Sequence, residues 1–395
     1  MLFSRPIAAS GAALLAATGL LLGSCSSPAR QPESAAAPAA SDTTGTATNP
    51  AAPANSPLQV VAEFTAPQMV GVAVEPGGKI FACFPRWDYN PVYPIAEVGP
   101  NNTLKPYPDA NWCMWNDSVK NEPLKHWICP QTVQTDKQGM LWVLDPAAPG
   151  LKFTVPGGPK LVKTDPKNGQ VLLTVAFPES VAPRKSYLND VRIDLQHNYA
   201  YLTESGLGAL VVTDLKTLKS RRLLALHPSM KAEKGLVIKA AGHPMLDLQG
   251  KPAQFNVDGI ALSTDNTYLY YCPLTGHKLY RIKTAALRDA ALTDAQLARQ
   301  VEIVGEIPAT DGLEIDAANN VYLTSFKNSA LMRRTPAGKI ETLVQDDRLQ
   351  WPDTYSFTAN ALYVATSAIH KTASWNKGVG QPGARFSIFK MAVPR

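Results

Sequence analysis

Four aspartates occupy one position of a repeated sequence pattern, about eleven residues before an aromatic residue in each copy. They are Asp190, Asp258, Asp311 and Asp353, and Asn189 lies beside the first of them. If the repeats form a ring, these carboxyl groups meet near its centre. There they can bind a divalent cation such as Ca²⁺, pair with a cationic ligand such as an amine, or accept hydrogen bonds from backbone N–H groups at turns.

Two further features of this position favour a site over a set of surface turns. Glycine follows two of the aspartates, as Gly259 and Gly312, and it permits close backbone approach or unusual turns. Four uncompensated carboxylates around one axis also repel one another. We therefore predict Asp258 and Asp311 as catalytic residues and as candidate ligands of Ca²⁺ or another divalent cation. The predicted ligand-binding residues are Gln131, Asn189, Asp190, Asp353 and His370.

The repeat that positions these residues is a turn followed by a short strand with an aromatic residue near its start. The six aromatic residues are Phe81, Trp142, Tyr201, Tyr270, Tyr322 and Tyr363, at intervals of 41 to 69 residues. An alternating run precedes each copy, so each unit begins with a β-hairpin. The intervals accommodate four-stranded blades, and the pattern predicts an all-β fold, a six-bladed β-propeller. The first strands of its blades line a central channel.

The two ends of the globular part also read as strands. Residues 58–64 precede the first hairpin, and residues 386–390 lie near the end of the chain. We predict that the N-terminal strand pairs into the last blade and closes the ring, which removes the free sheet edges. Residues 294–300, capped by Thr293, predict a short helix between blades.

The N-terminal segment predicts export. Residues 1–24 form a signal peptide with a short positive start and an apolar run too short to span a bilayer. Its ending, Leu22-Gly23-Ser24-Cys25, resembles the bacterial lipoprotein signal, in which the cysteine is lipidated; the alternative is ordinary cleavage. Residues 25–57 then form a disordered Ala/Ser/Pro tether, and residues 58–395 form the propeller. We expect an outer-membrane lipoprotein that faces the periplasm or the cell surface, or otherwise a periplasmic or secreted protein.

Four cysteines remain beyond Cys25, an even number in an oxidising compartment. Cys113 and Cys129 lie in one loop region and are the predicted disulfide pair. Cys83 and Cys272 belong to distant blades, and we expect them to be free and buried instead.

Composition excludes several classes of function. The net charge is +6 without a basic run, so we expect no nucleic-acid partner. The six histidines share no metal-binding spacing, and no nucleophile elbow, phosphate loop or dinucleotide fingerprint is present. We expect a monomer. Five tryptophans lie in or near long loops, where they either pack the loops onto one face or form aromatic walls for a ligand; they are Trp87, Trp112, Trp115, Trp127 and Trp351.

Several motifs together resemble the yellow and major royal jelly protein family. They include Phe84-Pro85-Arg86-Trp87, Leu188-Asn189-Asp190-Val191, Asp258-Gly259-Ile260, Asp311-Gly312-Leu313 and Trp351-Pro352-Asp353. The resemblance covers residues 58–395 in order, and it implies a six-bladed propeller whose ligands enter the central channel at one face. Members of the family include secreted food proteins, pigmentation proteins credited with dopachrome conversion, and salivary binders of biogenic amines.

The fold is also similar to that of the gluconolactonase and senescence-marker propellers, which hold a divalent metal. That similarity places Asp258 at the position of their asparagine ligand and Asp311 at that of their aspartate, while Asn189 matches a substrate-contacting asparagine. Val70 stands where their glutamate ligand lies and cannot bind a metal, which puts the lactonase mechanism in doubt unless Asp353 or Asp190 compensates for the missing anionic ligand. Three hypotheses follow: a binder of an aromatic or amine-like small molecule with tautomerase-type proton transfer, a metal-dependent lactone hydrolase, and a non-catalytic scaffold for a protein partner.

Overall fold

The computed structural model describes residues 50–53 and 55–394. The predicted signal peptide and Cys25 lie outside the described residues. Ser56, near the end of the predicted tether, donates a hydrogen bond from its Oγ to Asp346 Oδ2 at 2.6 Å. The chain is therefore held against the globular part slightly before the predicted boundary at residue 58.

The described strands form six four-stranded antiparallel sheets and one two-stranded ribbon. The first strand, β1 (Gln59–Phe64), belongs to the last sheet. Blade 1 contains β2 (Gly71–Val74), β3 (Ile80–Cys83), β4 (Ile95–Val98) and β5 (Leu104–Pro106). Blade 2 contains β6 (Thr132–Thr135), β7 (Leu141–Asp145), β8 (Lys160–Thr164) and β9 (Val171–Ala176). Blade 3 contains β10 (Leu188–Asp194), β11 (Tyr199–Glu204), β12 (Ala209–Asp214) and β13 (Ser220–Leu223).

The second half repeats this arrangement after a small ribbon of β14 (Lys239–Ala240) and β15 (His243–Pro244). Blade 4 contains β16 (Val257–Leu262), β17 (Tyr268–Pro273), β18 (Lys278–Lys283) and β19 (Glu302–Glu306). Blade 5 contains β20 (Leu313–Ile315), β21 (Val321–Ser325), β22 (Ala330–Arg334) and β23 (Ile340–Gln345). Blade 6 contains β24 (Pro352–Phe357), β25 (Ala361–Thr366), β26 (Phe386–Ala392) and β1.

The first strands of neighbouring blades contact one another around a closed ring: β2, β6, β10, β16, β20, β24 and again β2. We call these six the inner strands. Apolar side chains fill the space between blades; Tyr201 and Leu210 of blade 3, for example, pack with Ile260 and Tyr271 of blade 4. The predicted six-bladed propeller is confirmed.

The ring closes as predicted. β1 pairs antiparallel with β26, so that Gln59 lies opposite Lys390 and Phe64 lies opposite Phe386. The last blade therefore receives its outer strand from the start of the globular chain, and no blade lacks a fourth strand.

Local turn chemistry explains why each unit folds as a hairpin. The turn between the first two strands contains a residue with positive φ in blades 3, 4 and 5, namely Asn198, Asn266 and Asn319. Asparagine tolerates this left-handed conformation better than most residues. The asparagine that precedes these aromatic strands is therefore a turn signal, and the alternating residues after it form the second strand.

Helical structure is sparse among the described residues. The α-helices are α1 (Ala110–Cys113), α2 (Thr284–Arg288) and α3 (Asp294–Ala298), and the 3-10 helices span Pro100–Asn102, Pro123–Lys125, Pro149–Leu151, Pro228–Met230, Ile369–Lys371 and Ala373–Trp375. The predicted helix at residues 294–300 is α3, and a capping box between Thr293 and Gln296 begins it. None of these described helices has the length and hydrophobicity that a bilayer span requires.

Candidate functional site

One end of the central channel opens into a cavity of about 400 Å³ at the starts of the inner strands. All six residues at the predicted repeat position are buried, with exposed fractions of 8% or less. The cavity is lined by five of the predicted residues: Gln131, Asn189, Asp258, Asp311 and Asp353. The structure therefore gathers most of the predicted ring at one place. We call this space the central cavity.

The backbone of the inner strands presents these aspartates through local irregularities. Strand pairing shifts register between Val257 and Ile260 in blade 4, which brackets Asp258. It shifts again between Pro352 and Tyr355 in blade 6, which brackets Asp353. A bulge of this kind bends a strand and redirects a side chain, and bulges are common beside active sites.

Glycine brings the carboxyl groups of neighbouring blades close together. A Cβ atom on Gly259 would overlap with Asp311 O, and one on Gly312 would overlap with Asp353 O. Only glycine leaves this space free, so the predicted close backbone approach is present at both positions. The consequence is a tight succession of Asp258, Asp311 and Asp353 around the wall of the cavity.

Burial dominates the electrostatics of these three carboxyl groups. It raises the pKa of Asp311 to about 7, against an opposing hydrogen bond from Trp351. Burial, followed by the nearby charge of Asp311, raises the pKa of Asp258 and of Asp353 well above the ordinary range. Asp258 and Asp311 also hydrogen-bond to each other. In the described part of the chain, no basic side chain lies within ion-pair distance of the three carboxyls.

Asp190 differs from the other three aspartates because it does not line the central cavity. Its carboxylate accepts a hydrogen bond from Thr132 Oγ1 at 2.7 Å, and its backbone N–H donates to Thr203 Oγ1 at 3.2 Å. Burial raises its pKa, and the nearby guanidinium of Arg192 and the Thr132 hydroxyl oppose that shift. Asp190 therefore links blade 2 to blade 3 through a side-chain hydroxyl, which differs from the backbone N–H contacts at turns that the sequence left open for each aspartate.

Trp351 connects the acidic wall to an aromatic stack. Its indole Nε1 donates to Asp311 Oδ2 at 2.5 Å, and its ring stacks on Phe326 with centroids 4.1 Å apart. Its φ of 62° is an unusual conformation for a bulky residue, and such strain often accompanies a functional position. Trp351 lines the central cavity, so the aromatic-wall interpretation of this tryptophan is favoured.

His370 lies outside the residues that line the central cavity, contrary to its prediction as a ligand contact. Its imidazole is parallel to the Trp351 ring, with centroids 6.2 Å apart, and it lines a separate cavity beside Phe326 and Lys371. Burial lowers the pKa of His370 to about 4. The residue is therefore a neutral neighbour of Trp351. His370 lies outside the repeat pattern, so sequence periodicity gave no support for placing it in the central cavity.

The other walls of the cavity come from loops. Trp87 Nε1 donates to the Tyr187 hydroxyl at 2.8 Å, and that hydroxyl donates to Gln131 Oε1 at 2.7 Å. Phe255 and Trp375 meet edge to face with centroids 4.6 Å apart. Tyr187, Phe255 and Trp375 were not predicted as site residues, because loops carry no periodicity that would assign them to a common surface.

The arrangement does not suit a divalent cation. Within the described residues, no group of three or more histidine, cysteine, aspartate or glutamate side chains is placed to hold a metal ion. Val70, which stands where a metal-binding propeller has its glutamate, is fully buried and contributes only aliphatic carbon. Asp258 and Asp311 engage each other and Trp351, and the third carboxyl of this wall, Asp353, does not complete a metal-holding group with them among the described residues.

The four described cysteines are buried free thiols. The predicted disulfide between Cys113 and Cys129 is therefore wrong for this structure. Cys113 Sγ instead contacts the carbonyl oxygens of Ile95 and Tyr107, at 3.6 and 3.7 Å. Cys113 and Cys129 belong to one loop region, but their sulfur atoms are not bonded to each other. The free and buried state predicted for Cys83 and Cys272 is confirmed.

The fold and the cavity define a six-bladed β-propeller with an acidic, aromatic-walled pocket at one end of its channel. The family model for major royal jelly protein matches residues 128–387, and the chain belongs to that family. Major royal jelly protein 2 from Apis mellifera is 27% identical over 190 residues, which cover 46% of this chain and 39% of the relative. The match thus spans well under two thirds of that relative's length.

Two solved structures are similar to this chain at low sequence identity. A gluconolactonase from Xanthomonas campestris superimposes with a TM-score of 0.50 at 12% identity, covering 85% of this chain and 89% of that one. A virginiamycin B lyase from Staphylococcus aureus gives 0.48 at 13% identity, covering 85% and 99%. At such identities the gluconolactonase likeness establishes the propeller architecture alone.

Proposed function

We propose that the central cavity binds a small molecule with an aromatic or similar apolar body and an amino group. The observation that carries this proposal is the set of three buried carboxyls, Asp258, Asp311 and Asp353, which lack a basic partner among the described residues. An ammonium group placed among them offsets the cost of burying their charge. Lys152 and Lys185 also line this cavity, but neither is within ion-pair distance of the three carboxyls, so the ligand would supply the cation that pairs with them.

The walls suit the rest of such a ligand. A cavity of about 400 Å³ falls in the range of small-molecule pockets, which are mostly apolar with a few placed polar groups. Trp87, Phe255 and Trp375 line it with partly exposed rings, whereas Trp351 is almost fully buried against Phe326. Aromatic faces also attract cations, which favours an aromatic amine over a neutral aromatic molecule.

Binding of an amine should release protons from the site. The raised pKa values keep the carboxyl groups partly protonated near neutral pH, and a cationic ligand stabilises their ionised form. Calorimetry of tyramine binding at pH 6 in buffers of different ionisation enthalpy measures this release. The matched probe is 4-ethylphenol, which has a similar body without the amine and should bind more weakly and release no proton.

Variants test the same proposal at the residues themselves. Asp311→Asn and Asp258→Asn should each weaken tyramine binding about tenfold or more, since each removes a charge that faces the ammonium group. Glu314→Gln, a carboxylate outside this cavity, is the control and should leave the affinity unchanged. If both aspartate variants bind tyramine as the parent does, the central-cavity proposal fails and a scaffold for a protein partner becomes the better interpretation.

Proton transfer is a second candidate activity at this site. A carboxyl group whose pKa is about 7 can donate and accept a proton at neutral pH, and Asp311 hydrogen-bonds to a second carboxyl that can share that proton. A tautomerase of the dopachrome-converting kind needs such a group to move a proton between two atoms of one substrate. The rate of dopachrome conversion should then be lower in Asp311→Asn than in the parent protein. Added tyramine should compete with the substrate.

The lactone hydrolase alternative has less support, because the described residues present no metal-binding set. Metal analysis of the purified protein decides this alternative. A bound divalent ion at one equivalent, lost in Asp258→Ala, together with hydrolysis of a sugar lactone, would replace the amine proposal.

We also propose that the chain is an exported lipoprotein anchored through Cys25. The support is the sequence of residues 1–24 and the cysteine that follows them. In a bacterial host, the parent protein should fractionate with membranes and incorporate labelled palmitate, whereas Cys25→Ala should do neither. Equal labelling of the two proteins would exclude lipidation at this cysteine.

A further inference from the structure

A second cavity of about 510 Å³ lies at the opposite ends of the same inner strands. Each inner strand contributes to its wall, through Val74, Gln134, Arg192, Leu262, Glu314 and Ser356. We call this space the distal cavity. None of the residues that line it also lines the central cavity, so the two spaces have separate walls.

Arg192 crosses the channel on the distal side. Its Nη1 donates to Val191 O of its own strand at 2.8 Å, while Nη2 donates to Leu313 O of blade 5 at 2.5 Å and lies 3.4 Å from Glu314 Oε2. The guanidinium thus joins blade 3 to blade 5. A buried charge with these partners is costly to displace, so Arg192 forms a fixed floor for the distal cavity.

The charges around the distal cavity already have partners within the protein. Arg192 faces Glu314, and the Asp136 carboxylate accepts from the backbone N–H groups of Gln138 and Met140. Lys137 Nζ, at the rim, donates to Thr264 O at 3.1 Å. A charged ligand would compete with these contacts, and a neutral ligand would not.

Two polar atoms in this wall have no partner. Arg192 Nε is a buried donor without an acceptor, and Gln134 Oε1 is a buried acceptor without a donor. Leaving such groups unpaired in the folded protein is unfavourable. Both atoms lie beneath the surface of the cavity wall. A ligand hydroxyl, which both donates and accepts, can satisfy either one once the side chain turns to bring that atom to the cavity. Thr358 Oγ1 already bonds to Ala361, but Ser356 Oγ only accepts, from the Val74 N–H at 2.9 Å, and keeps its own proton for a ligand. The half-buried Phe357 ring adds an apolar surface.

We propose that the distal cavity is a second binding site, and that it takes a neutral polyhydroxylated molecule of the size of a mono- or disaccharide. The site is independent of the central cavity. Gln134 and Arg192 provide its specificity, and the hydroxyl-rich rim and Phe357 provide the remaining contacts.

Saturation-transfer NMR with glucose, mannose, maltose and trehalose, followed by calorimetry of any sugar that binds, tests this proposal. We expect at least one of these sugars to bind with a Kd below about 10 mM. Gln134→Leu should weaken that binding about tenfold or more, since it removes the hydrogen-bonding amide while keeping its approximate volume. Ala359→Trp, at an exposed rim position, should block entry without changing the packed wall.

Asp311→Asn is the matched control at the other end of the channel and should leave sugar binding unchanged. Circular dichroism and the melting temperature confirm that each variant folds. Absence of binding by all four sugars overturns the proposal. So does binding that survives both Gln134→Leu and Ala359→Trp, or that disappears in Asp311→Asn. Gluconate should bind more weakly than glucose; tighter binding would show an anion site at Arg192 and would also overturn it.

Discussion

The central cavity has two unlike walls built from one repeated hairpin. In blades 4, 5 and 6 the repeat position holds an aspartate that lines the cavity, whereas in blades 1 and 2 it holds Val70 and Gln131. The inner strands of blades 1 and 2 pair with their neighbours in regular register, but those of blades 4 and 6 shift register at the aspartate. The acidic wall of blades 4 to 6 therefore has a register shift at two of its three aspartates, and the neutral wall of blades 1 and 2 has none.

Glycine substitution should break the acidic wall and spare the neutral wall. Gly312 and Gly71 follow the repeat position in blades 5 and 1, yet a Cβ on Gly312 would overlap with Asp353 O, whereas one on Gly71 would lie 3.6 Å from Gln131 O. Gly312→Ala should lower the free energy of unfolding by about 4 kcal/mol or more. Gly71→Ala, the control, should change it by less than about 1 kcal/mol. Urea denaturation measures both, and equal losses would contradict the proposed asymmetry.

The acidic wall should also make stability depend on pH. Burial raises the pKa of Asp311 from 3.8 to about 7, so the folded state holds this proton more tightly than the unfolded state. The resulting stabilisation is fully present below about pH 4 and is lost as pH rises through about 7, a change of about 4 kcal/mol from this group.

Denaturation from pH 4 to 8 measures that loss. Asp311→Asn should reduce the pH dependence, whereas Gln131→Leu on the neutral wall should leave it as in the parent protein. An Asp311→Asn variant with the full pH dependence would show that other groups cause it.

A carboxyl group added at the repeat position of blade 1, which does not line the cavity, should be poorly tolerated. Val70 is fully buried, and no bulge redirects its strand toward the cavity. Val70→Asp should therefore cost about 3 kcal/mol more than Val70→Asn at pH 8, where the added group is ionised. Thermal denaturation at pH 8 and pH 5 should show the gap between the two variants narrowing at the lower pH. A constant gap would indicate that charge is not the cause.

The smallest expected effect concerns the link between the neutral wall and the loops. Tyr187→Phe removes the hydroxyl that joins Trp87 Nε1 to Gln131 Oε1. The loss of two hydrogen bonds at a partly open site should cost about 1 kcal/mol and weaken tyramine binding a few-fold. Calorimetry should compare Tyr187→Phe with Phe255→Leu, which removes ring surface only. The comparison separates the effect of orienting the ligand from the effect of its contact area. No change in either variant would show that the loops do not contact the ligand.

The repeat explains why so much of the fold could be predicted. Six copies of one hairpin specified the blades, and the first and last strands specified the closure between β1 and β26. The same periodicity located Asp258, Asp311 and Asp353, because residues at one repeat position must meet on the channel axis. It could not distinguish Asp190, whose carboxylate turns to Thr132 instead.

Features outside the repeat were not predictable in this way. Tyr187, Phe255 and Trp375 reach the cavity from loops, where contacts depend on tertiary packing that no period encodes. The same limit explains the wrong disulfide, since the loop around Cys113 directs its thiol toward Ile95 O and away from Cys129. The contact of Arg192 with Leu313 O joins blade 3 to blade 5, so the sequence of either repeat alone does not predict it.

The pairing of β1 with β26 also determines when the ring can be completed. Phe64 emerges from the ribosome early, but its partner Phe386 is made more than 300 residues later. Such non-local pairing is slow, and an unpaired strand edge can recruit other chains while it waits. The interval between synthesis of the first strand and arrival of the last is therefore the period in which this chain most needs protection from aggregation.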